Sequence, residues 1–201
     1  MKDNKKISIF LDTATKALAL AATKGEEFAK VSLGNPKTAL ERTHLGLDVL
    51  CEKLSFQWKD IDAFYCLLGP GSNTGIRLGL TIPKTLCAFH PNLELYGIKT
   101  MELFTKKCPV AALSDRGGNL FLAKRENGVT SYQRIDKKDI PSLPHFDQIA
   151  LEKQDKVAFK ALEGQNILPL SIIDCMMEYK DSFENFSSRE EEFLPEYVLK
   201  I

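Results

Sequence analysis

The chain has 201 residues, of which 44% are hydrophobic and 27% are charged, a composition typical of a soluble globular protein. Lys plus Arg and Asp plus Glu both number 27, so the net charge is zero, which argues against independent, tight binding of nucleic acid. The five cysteines are scattered without a C-x-x-C pair, which indicates buried thiols rather than disulfides or a zinc site. Since no apolar run approaches the roughly 18 residues of a membrane span, we expect a cytoplasmic protein that does not contact membranes.

The first half of the chain predicts three strands followed by alternating helices and strands. An apolar run ends at Asp12, and two strand-like runs then flank Lys24-Gly25, a pair typical of a hairpin turn. Thr38 is in position to cap a helix that ends near Leu54. The predicted strands cover residues 7–11, 16–23, 26–33, 61–68 and 93–98, and the predicted helices begin near residues 38, 76 and 100. This βββαβαβα order favours an α/β fold with a mixed sheet covered by helices.

The second half begins by repeating the opening pattern. A strand at residues 110–113 ends near Asp115, and Gly117-Gly118 precede a second hairpin at residues 120–135. A strand that ends in Asp and is followed by a hairpin thus occurs twice, which predicts two related lobes.

The predicted boundary between the lobes lies at residues 108 and 109. Residues 1–108 form the first lobe, which carries the partner-binding helices, and residues 109–201 form a smaller, degenerate one. Prolines interrupt the second lobe, where residues 170–179 are the stretch that favours a helix. The acidic residues 187–192 indicate a solvated loop or helix start.

Residues 69–75 form the most informative motif, a glycine-rich turn between an apolar strand and a helix. Free backbone N–H groups at a helix N-terminus attract anions such as phosphate, and the hydroxyls of Ser72 and Thr74 can cap the helix. The spacing fits neither a Walker loop, because no Lys follows Gly75, nor a Rossmann fingerprint. The alternative is a tight turn whose glycines only let strand and helix pack closely.

The two helices that flank this region each carry apolar residues on two faces. A helix that packs on one sheet needs a single apolar stripe, so the second face favours docking on a partner protein. The alternative is a thick internal core. The side chains predicted to contact the partner are Leu40, His44, Leu45, Leu47, Val49, Cys51, Leu78, Ile82 and Phe89.

Residues that could carry catalysis are sparse. The three histidines, His44, His90 and His145, include no pair four residues apart that could share a metal ion on one helix face, so no metal site is expected. Ser72 lies outside the G-x-S-x-G pattern of serine hydrolases. An enzyme that depends on such a histidine-bound metal and a nucleophilic hydrolase are therefore both disfavoured, and we expect a chain without catalytic residues.

Four segments resemble the bacterial TsaB family, also called YeaZ. They are ISIFLDTAT at residues 7–15, ERTH at 41–44, LLGPGSNTGIRLGL at 67–80 and DRGG at 115–118. The resemblance implies the two-lobed, ribonuclease H-like fold shared by actin, the Hsp70 ATPase domain and sugar kinases. It also implies a non-catalytic subunit that dimerises with the catalytic subunit TsaD, joined by the ATPase TsaE. That complex attaches a threonylcarbamoyl group to the adenosine beside the anticodon of tRNAs that read codons starting with A.

The sequence departs from the family pattern in three places. Asn73 stands where an aromatic residue is usual, and Leu45-Gly46 follow His44 where the family has Ser-Glu. Pro83 interrupts a helix, where a proline removes a backbone hydrogen bond. These departures concern the partner surface more than the fold.

The same resemblance raises the question of nucleotide binding, because ATPases of this fold hold phosphate in glycine-rich hairpins and carry an Asp for magnesium. Asp12 and Asp115 occupy those places, but the loop after Asp12 has no glycine to bring backbone N–H groups near a phosphate. We therefore expect no cofactor, weak nucleotide binding at most, and a turn-capping role for Asp12. The predicted vestigial phosphate site comprises Asp12, Gly69, Gly71, Ser72, Thr74, Gly75, Asp115, Gly117 and Gly118.

Two functions stay open on these grounds. The first is the TsaB-like subunit, whose expected partners are TsaD and TsaE, with tRNA reached through the complex and a homodimer when the chain is alone. The second is an ATP-binding phosphotransferase or ATPase of the same fold, which predicts magnesium-dependent ATP binding to the isolated chain.

Overall fold

Three antiparallel strands open the fold. The computed structural model describes residues 5–34 and 39–196, without the side chains of residues 39 and 40. β1 (Ile7–Asp12), β2 (Ala19–Lys24) and β3 (Glu27–Ser32) form a meander. Gly25 turns the chain between β2 and β3 with a φ of 61°, a left-handed value that glycine adopts without strain. The predicted hairpin is therefore confirmed.

Helices and parallel strands then alternate, as predicted. They are α1 (Ala39–Leu54), β4 (Ala63–Gly69), α2 (Asn73–Cys87), β5 (Glu94–Lys99) and α3 (Thr100–Thr105). The predicted cap at Thr38 lies outside the described residues. α2 begins before the predicted start at residue 76 because Ser72 caps it, accepting a hydrogen bond from Gly75 N on its hydroxyl at 3.3 Å. Thr74 instead lies exposed in the first helical turn.

The second half contains a strand and hairpin followed by shorter elements. They are β6 (Val110–Ser114), β7 (Leu120–Glu126), β8 (Val129–Ile135), β9 (Ile149–Glu152), α4 (Lys156–Ala161), β10 (Ile167–Leu170), α5 (Ile172–Glu178) and β11 (Glu184–Asn185). The predicted strand, hairpin and last helix are confirmed. The sequence pattern misses β9, α4, β10 and β11, because each is too short to show a full hydrophobic period.

The two sheets share one topology. The first has the strand order β11-β5-β4-β1-β2-β3 and the second has the order β10-β9-β6-β7-β8. In each sheet an antiparallel meander is extended by two parallel strands beyond its first strand. The predicted repeat is therefore confirmed, in a mixed α/β architecture. Among the described residues, no helix is both long and apolar enough to cross a bilayer.

The C-terminal part of the chain returns to the first sheet. β11 pairs antiparallel with β5, and the buried rings of Phe186 and Phe193 lie 5.4 Å apart. Glu196 N donates a hydrogen bond to Leu68 O at 2.7 Å. The lobe division at residue 108 stays a prediction: it separates the strands of the two sheets up to β10, whereas residues 184–196 pack with the first sheet.

α1 and α2 lie on one face of the first sheet. Leu20 and Cys66 point toward this face from β2 and β4. A Cβ added to Gly46 of α1 would lie 2.8 Å from Leu20 Cδ1, so this glycine lets the helix approach β2 closely. Cys66 Sγ donates to Gly79 O of α2 at 3.4 Å. Both predicted docking helices thus lie over the same face of the first sheet.

The opposite face of this sheet carries a row of aromatic rings. Phe10, Tyr65 and Tyr96 stand in register on β1, β4 and β5, and their rings stack with centroids 4.7 Å apart at each step. α5 packs over β1 and β2 on this side, where Asp174 forms an ion pair with Lys30 of β3. The core is therefore built on both faces of the sheet.

Candidate functional site

The chain's own backbone fills the glycine-rich turn between β4 and α2. A Cβ added to Gly71 would lie 2.6 Å from Ala14 O, and one added to Gly75 would meet Thr13 O well inside 3.0 Å. Gly69 is closed in the same way by the backbone carbonyl of Glu196. Glycine is required at these positions because the loop after β1 and the C-terminal segment contact the turn directly. The glycines are therefore explained by close packing, the alternative to a phosphate site.

Backbone groups around the start of α2 form hydrogen bonds within the chain. Ser72 N donates to Ala14 O at 2.7 Å, and Ile76 N donates to Ser72 O at 2.8 Å. Gly75 N is capped by the Ser72 hydroxyl, while Gly75 O accepts from Thr13 Oγ1 at 2.6 Å. The carbonyls that face the turn would repel a phosphate.

Asp12 is committed to the turn that follows β1. Its Oδ1 accepts hydrogen bonds from Ala14 N at 3.1 Å and Thr15 N at 2.9 Å, and its Oδ2 accepts from Thr15 Oγ1 at 2.5 Å. The side chain is completely buried, and burial raises its pKa to about 6. Asp12 therefore acts as the turn-capping carboxylate that the sequence analysis favours.

Asp115 plays the corresponding part in the second sheet. Its Oδ1 accepts from Gly117 N at 2.7 Å and from Asn119 N at 2.9 Å, and its Oδ2 pairs with Arg134 Nη2 at 3.0 Å. Although partial burial opposes it, the hydrogen bonds from Asn119 and Arg134 hold the pKa of Asp115 below its usual value. Gly118 turns the chain with a φ of 81°. The carboxylate holds this turn together.

A magnesium nucleotide does not fit these residues. Both carboxylates that would face the metal already accept hydrogen bonds from their own loops, and carbonyl oxygens line the glycine turn. Over residues 5–34 and 39–196, no three His, Cys, Asp or Glu side chains converge as metal ligands. The predicted phosphate-site residues therefore lie at the ends of strands as expected, but they serve the turns they belong to.

A second buried carboxylate, Glu152, escapes the sequence analysis. It ends β9, is completely buried, and accepts hydrogen bonds from Ile172 N at 2.7 Å and Gln154 N at 3.3 Å. Burial raises its pKa to about 7, repulsion from Asp12 adds to the shift, and Lys153 opposes it. The sequence signal that could have indicated this buried carboxylate is a glutamate directly after three apolar residues, at the end of β9.

These two acids predict a pH dependence of folding stability. Both pKa values lie above the ordinary carboxyl range near 4, so protonation favours the folded state. Their contribution is complete below about pH 4 and is lost as the pH rises through the values of about 6 and 7. We expect Glu152→Gln to flatten the fall in the free energy of unfolding between about pH 4 and pH 7. Urea unfolding across this range measures it, with the exposed Glu163→Gln as control; equal slopes in all three proteins would contradict the expectation.

The exposed apolar side chains of α1 and α2 form a surface on the outside of the first sheet. On α1, 60% of Leu45 and 37% of Val49 are exposed, and their spacing of four residues puts them on one side of the helix. Phe89, just after α2, is 76% exposed, and Leu78 and Ile82 lie half-buried on one flank of α2. We name these five residues the docking surface.

A polar cluster borders the docking surface on α1. Trp58 Nε1 donates to Asp48 Oδ1 at 2.9 Å, and His44 Nε2 lies 3.6 Å from Asp48 Oδ2. The rings of His44 and Trp58 approach with centroids 5.1 Å apart. His44, a predicted partner contact, is exposed. Asp48 and Trp58 are missed by the sequence analysis, because the turn that brings Trp58 back to α1 has no local signature.

Leu47 requires a correction. It is 1% exposed and packs in the core with Leu50 and Leu54, which follow it at the spacing of an inward-facing helical stripe. Leu47 therefore holds α1 on the sheet and cannot contact a partner. Cys51 is half-buried, and burial raises the pKa of its thiol. The side chain of Leu40, also predicted as a contact, lies outside the described residues.

The geometry places the chain in a class, and comparison with known proteins agrees. The structure of YeaZ from Pseudomonas aeruginosa superposes with a TM-score of 0.66 at 14% identity, covering 96% of this chain and 100% of that one. A structure of a protein "with similarity to peptidase YEAZ from Pseudomonas aeruginosa" gives 0.70 at 15% identity with the same coverage. The protein thus has a two-sheet α/β fold of the actin-like, ribonuclease H-like class.

A family model described as "TsaD: tRNA N6-adenosine threonylcarbamoyltransferase" matches residues 39–167. The chain belongs to this family, and the structural likeness confirms the resemblance to TsaB (YeaZ) proteins. It is 31% identical over 100 residues to MG208 of Mycoplasma genitalium and 30% identical over 106 residues to its homologue in Mycoplasma pneumoniae. These alignments cover 48% and 51% of this chain, and 51% and 54% of the two proteins. The chain thus spans about half the length of the curated relatives it matches.

Proposed function

We propose that the chain is a non-catalytic subunit for threonylcarbamoyl modification of the adenosine beside the anticodon, in tRNAs that read A-starting codons. It acts by binding the catalytic subunit TsaD through the docking surface. The observation that carries this proposal is the exposure of Leu45 and Val49 on α1 and of Phe89 after α2. The carboxylates of Asp12 and Asp115, at the ends of strands, are occupied within their own turns. Family membership supports the pathway, since the matching model describes a tRNA threonylcarbamoyltransferase.

The physical case for docking rests on exposed apolar surface at well-supported positions. Full burial of a Leu, Val or Phe side chain is worth about 1.5–3 kcal/mol each, so covering Leu45, Val49 and Phe89 supplies a substantial part of an association free energy. α1 and α2 present these side chains from rigid helices packed on a sheet, which limits the entropy lost on binding. A partner with a complementary pair of helices fits such a surface.

The mechanism that follows is architectural. Contact with the docking surface would hold the two lobes of TsaD in the arrangement that its chemistry requires, while this chain touches no reacting atom. The ATPase TsaE would join the assembled pair, and tRNA would be bound through the complex. Without TsaD, two copies of this chain would cover each other's docking surface as a homodimer.

The alternative is an ATP-binding phosphotransferase of the same fold. It requires Asp12 and the glycine turn to face a magnesium nucleotide, whereas Asp12 is completely buried and the turn is filled by Thr13 and Ala14. The geometry therefore supports the subunit over the phosphotransferase.

Two measurements on the purified chain separate these functions. Sedimentation of the chain with TsaD is expected to give a heterodimer, and light scattering of the chain alone is expected to give a homodimer that TsaD dissociates. Calorimetry with magnesium ATP is expected to give no binding in the micromolar range. Micromolar ATP binding that disappears in Asp12→Ala, together with no association with TsaD, would establish the phosphotransferase instead.

A further inference from the structure

A cavity of about 520 Å³ opens on the face of the first sheet opposite the docking surface. It lies beside the paired strands β1 and β2, next to the turn that follows α5. Ser8 and Thr23, which are direct cross-strand partners, line it together with Tyr65 and Lys180. The volume falls in the range of small-molecule sites, roughly 300–1,000 Å³. The cavity is therefore large enough for a metabolite and shares no residue with the docking surface.

Several hydrogen-bond donors lining the cavity have no partner. Within the described parts of the chain, the hydroxyls of Ser8, Thr23 and Tyr65 and the ammonium of Lys180 form no hydrogen bond to another residue. Burial raises the pKa of Tyr65, so its phenol keeps the proton that it would donate. Three hydroxyls and an ammonium around one space match the several acceptor oxygens of a phosphate.

The charges at the cavity favour a ligand that also carries hydroxyl groups. The Lys6 ammonium is held by Glu94 at 2.5 Å, and Glu94 accepts a second hydrogen bond from Tyr96. Asp181 contributes an acceptor to the lining. Lys180 is thus the cation left to bind an anion, and Asp181 can accept from a sugar hydroxyl.

The Tyr65 ring is not available to stack on a base. Both faces of the Tyr65 ring are covered, by Phe10 and by Tyr96, and Phe183 meets the same ring edge-on at 5.2 Å. The Lys6 ammonium lies 5.9 Å from the centroid of Tyr96. The Tyr65 ring therefore offers the cavity its edge and its hydroxyl group, which suits a polar ligand better than a flat heterocycle.

We propose that this cavity binds a small phosphorylated sugar, whose phosphate is held by the hydroxyls of Ser8, Thr23 and Tyr65 and by the Lys180 ammonium. The site lies on the far face of the sheet from α1 and α2, and the proposal does not depend on the docking function. If either the sugar phosphate site or the docking function is disproved, the other proposal is unaffected.

Calorimetry with ribose 5-phosphate tests the site on the full-length chain, with ribose, inorganic phosphate and adenosine monophosphate as comparison ligands. We expect ribose 5-phosphate to bind with a dissociation constant near or below about 1 mM. Ribose should not bind, and adenosine monophosphate should bind no more tightly than ribose 5-phosphate. Tyr65→Phe and Lys180→Gln should each weaken binding about tenfold or more, because each removes a hydrogen bond to an anion.

The matched control is Lys138→Gln, at an exposed lysine that follows β8, far in sequence from the lining of the cavity. This variant should bind ribose 5-phosphate like the wild type. Lys180→Gln changes a surface side chain, so it keeps the test valid if Tyr65→Phe disturbs the aromatic row. Absence of binding, equal binding of ribose and ribose 5-phosphate, or equal affinity in Lys180→Gln and Lys138→Gln would each overturn the proposal.

Discussion

Leu45→Asp is expected to abolish association with TsaD while leaving the chain folded. Leu45 is 60% exposed, so a carboxylate at this position stays hydrated in the free chain. In the complex the same carboxylate would be buried against apolar side chains without a partner, which is strongly unfavourable. We expect the dissociation constant to rise at least about 100-fold. Sedimentation or calorimetry with TsaD measures the affinity, and thermal unfolding of the free variant reports its fold.

Two further substitutions make this test specific. Val129→Asp introduces the same charge at a 72% exposed position on β8, an edge strand of the second sheet, and should leave TsaD binding intact. Leu47→Asp should unfold the chain, because Leu47 is 1% exposed in the core. If Leu45→Asp and Val129→Asp bind TsaD equally well, the docking surface has been placed on the wrong helices.

Gly75→Ala is expected to be among the most destabilising single-methyl changes in the protein. The added Cβ would meet Thr13 O far inside 3.0 Å, and that oxygen belongs to the backbone of the loop after β1. Neither the loop after β1 nor the turn before α2 can move without disturbing the hydrogen bonds from Thr13 to Gly75 and from Ser72 to Ala14. We expect a loss of about 3 kcal/mol or more in the free energy of unfolding, measured with urea.

Gly128→Ala provides the comparison for this substitution. Gly128 has a φ of 82° but nothing within 4 Å of an added Cβ, so the change strains the backbone without a collision. Its cost should be about 1–2 kcal/mol. Equal losses in the two variants would show that Gly75 is not tightly packed, and that the turn has room for a ligand.

The order of elements in the first sheet was accessible from sequence because each element is long enough to show its period. Six-residue strands such as β1 and β5, and helices of 15 and 16 residues, leave clear hydrophobic patterns between Gly, Pro and Asn breaks. The repeat in the second sheet was visible for the same reason, through a strand ending in Asp and a hairpin. α4 is six residues long and depends on the Asp155 cap, so its pattern is too short to detect.

The docking surface was only partly accessible. Leu45 and Leu47 have the same side-chain chemistry and lie two positions apart on α1, yet one is exposed and the other is in the core. What decides between them is the rotation of α1 on β2 and β3, which is set by Gly46 against Leu20 and Leu33. That contact joins residues distant in the chain, so helical periodicity alone could not assign the outer face.

The glycine turn shows a different limit. A phosphate-binding turn and a closely packed turn need the same residue type, because both require a backbone without side chains. The deciding fact is that Thr13 and Ala14, some sixty residues earlier in the chain, occupy the space beside Gly71 and Gly75. Asp12 is likewise identified as a turn cap rather than a metal ligand by its burial and by the hydrogen bonds it accepts from Ala14 and Thr15.

Reconstitution of tRNA modification tests the proposed role most directly. Purified TsaD and TsaE, with tRNA, threonylcarbamoyl-AMP and ATP, should modify adenosine at a low rate, and adding this chain should raise that rate strongly. Leu45→Asp should fail to raise it, whereas Val129→Asp should act like the wild type. Full modification by TsaD and TsaE without this chain, or full stimulation by Leu45→Asp, would contradict the proposal that it works by docking.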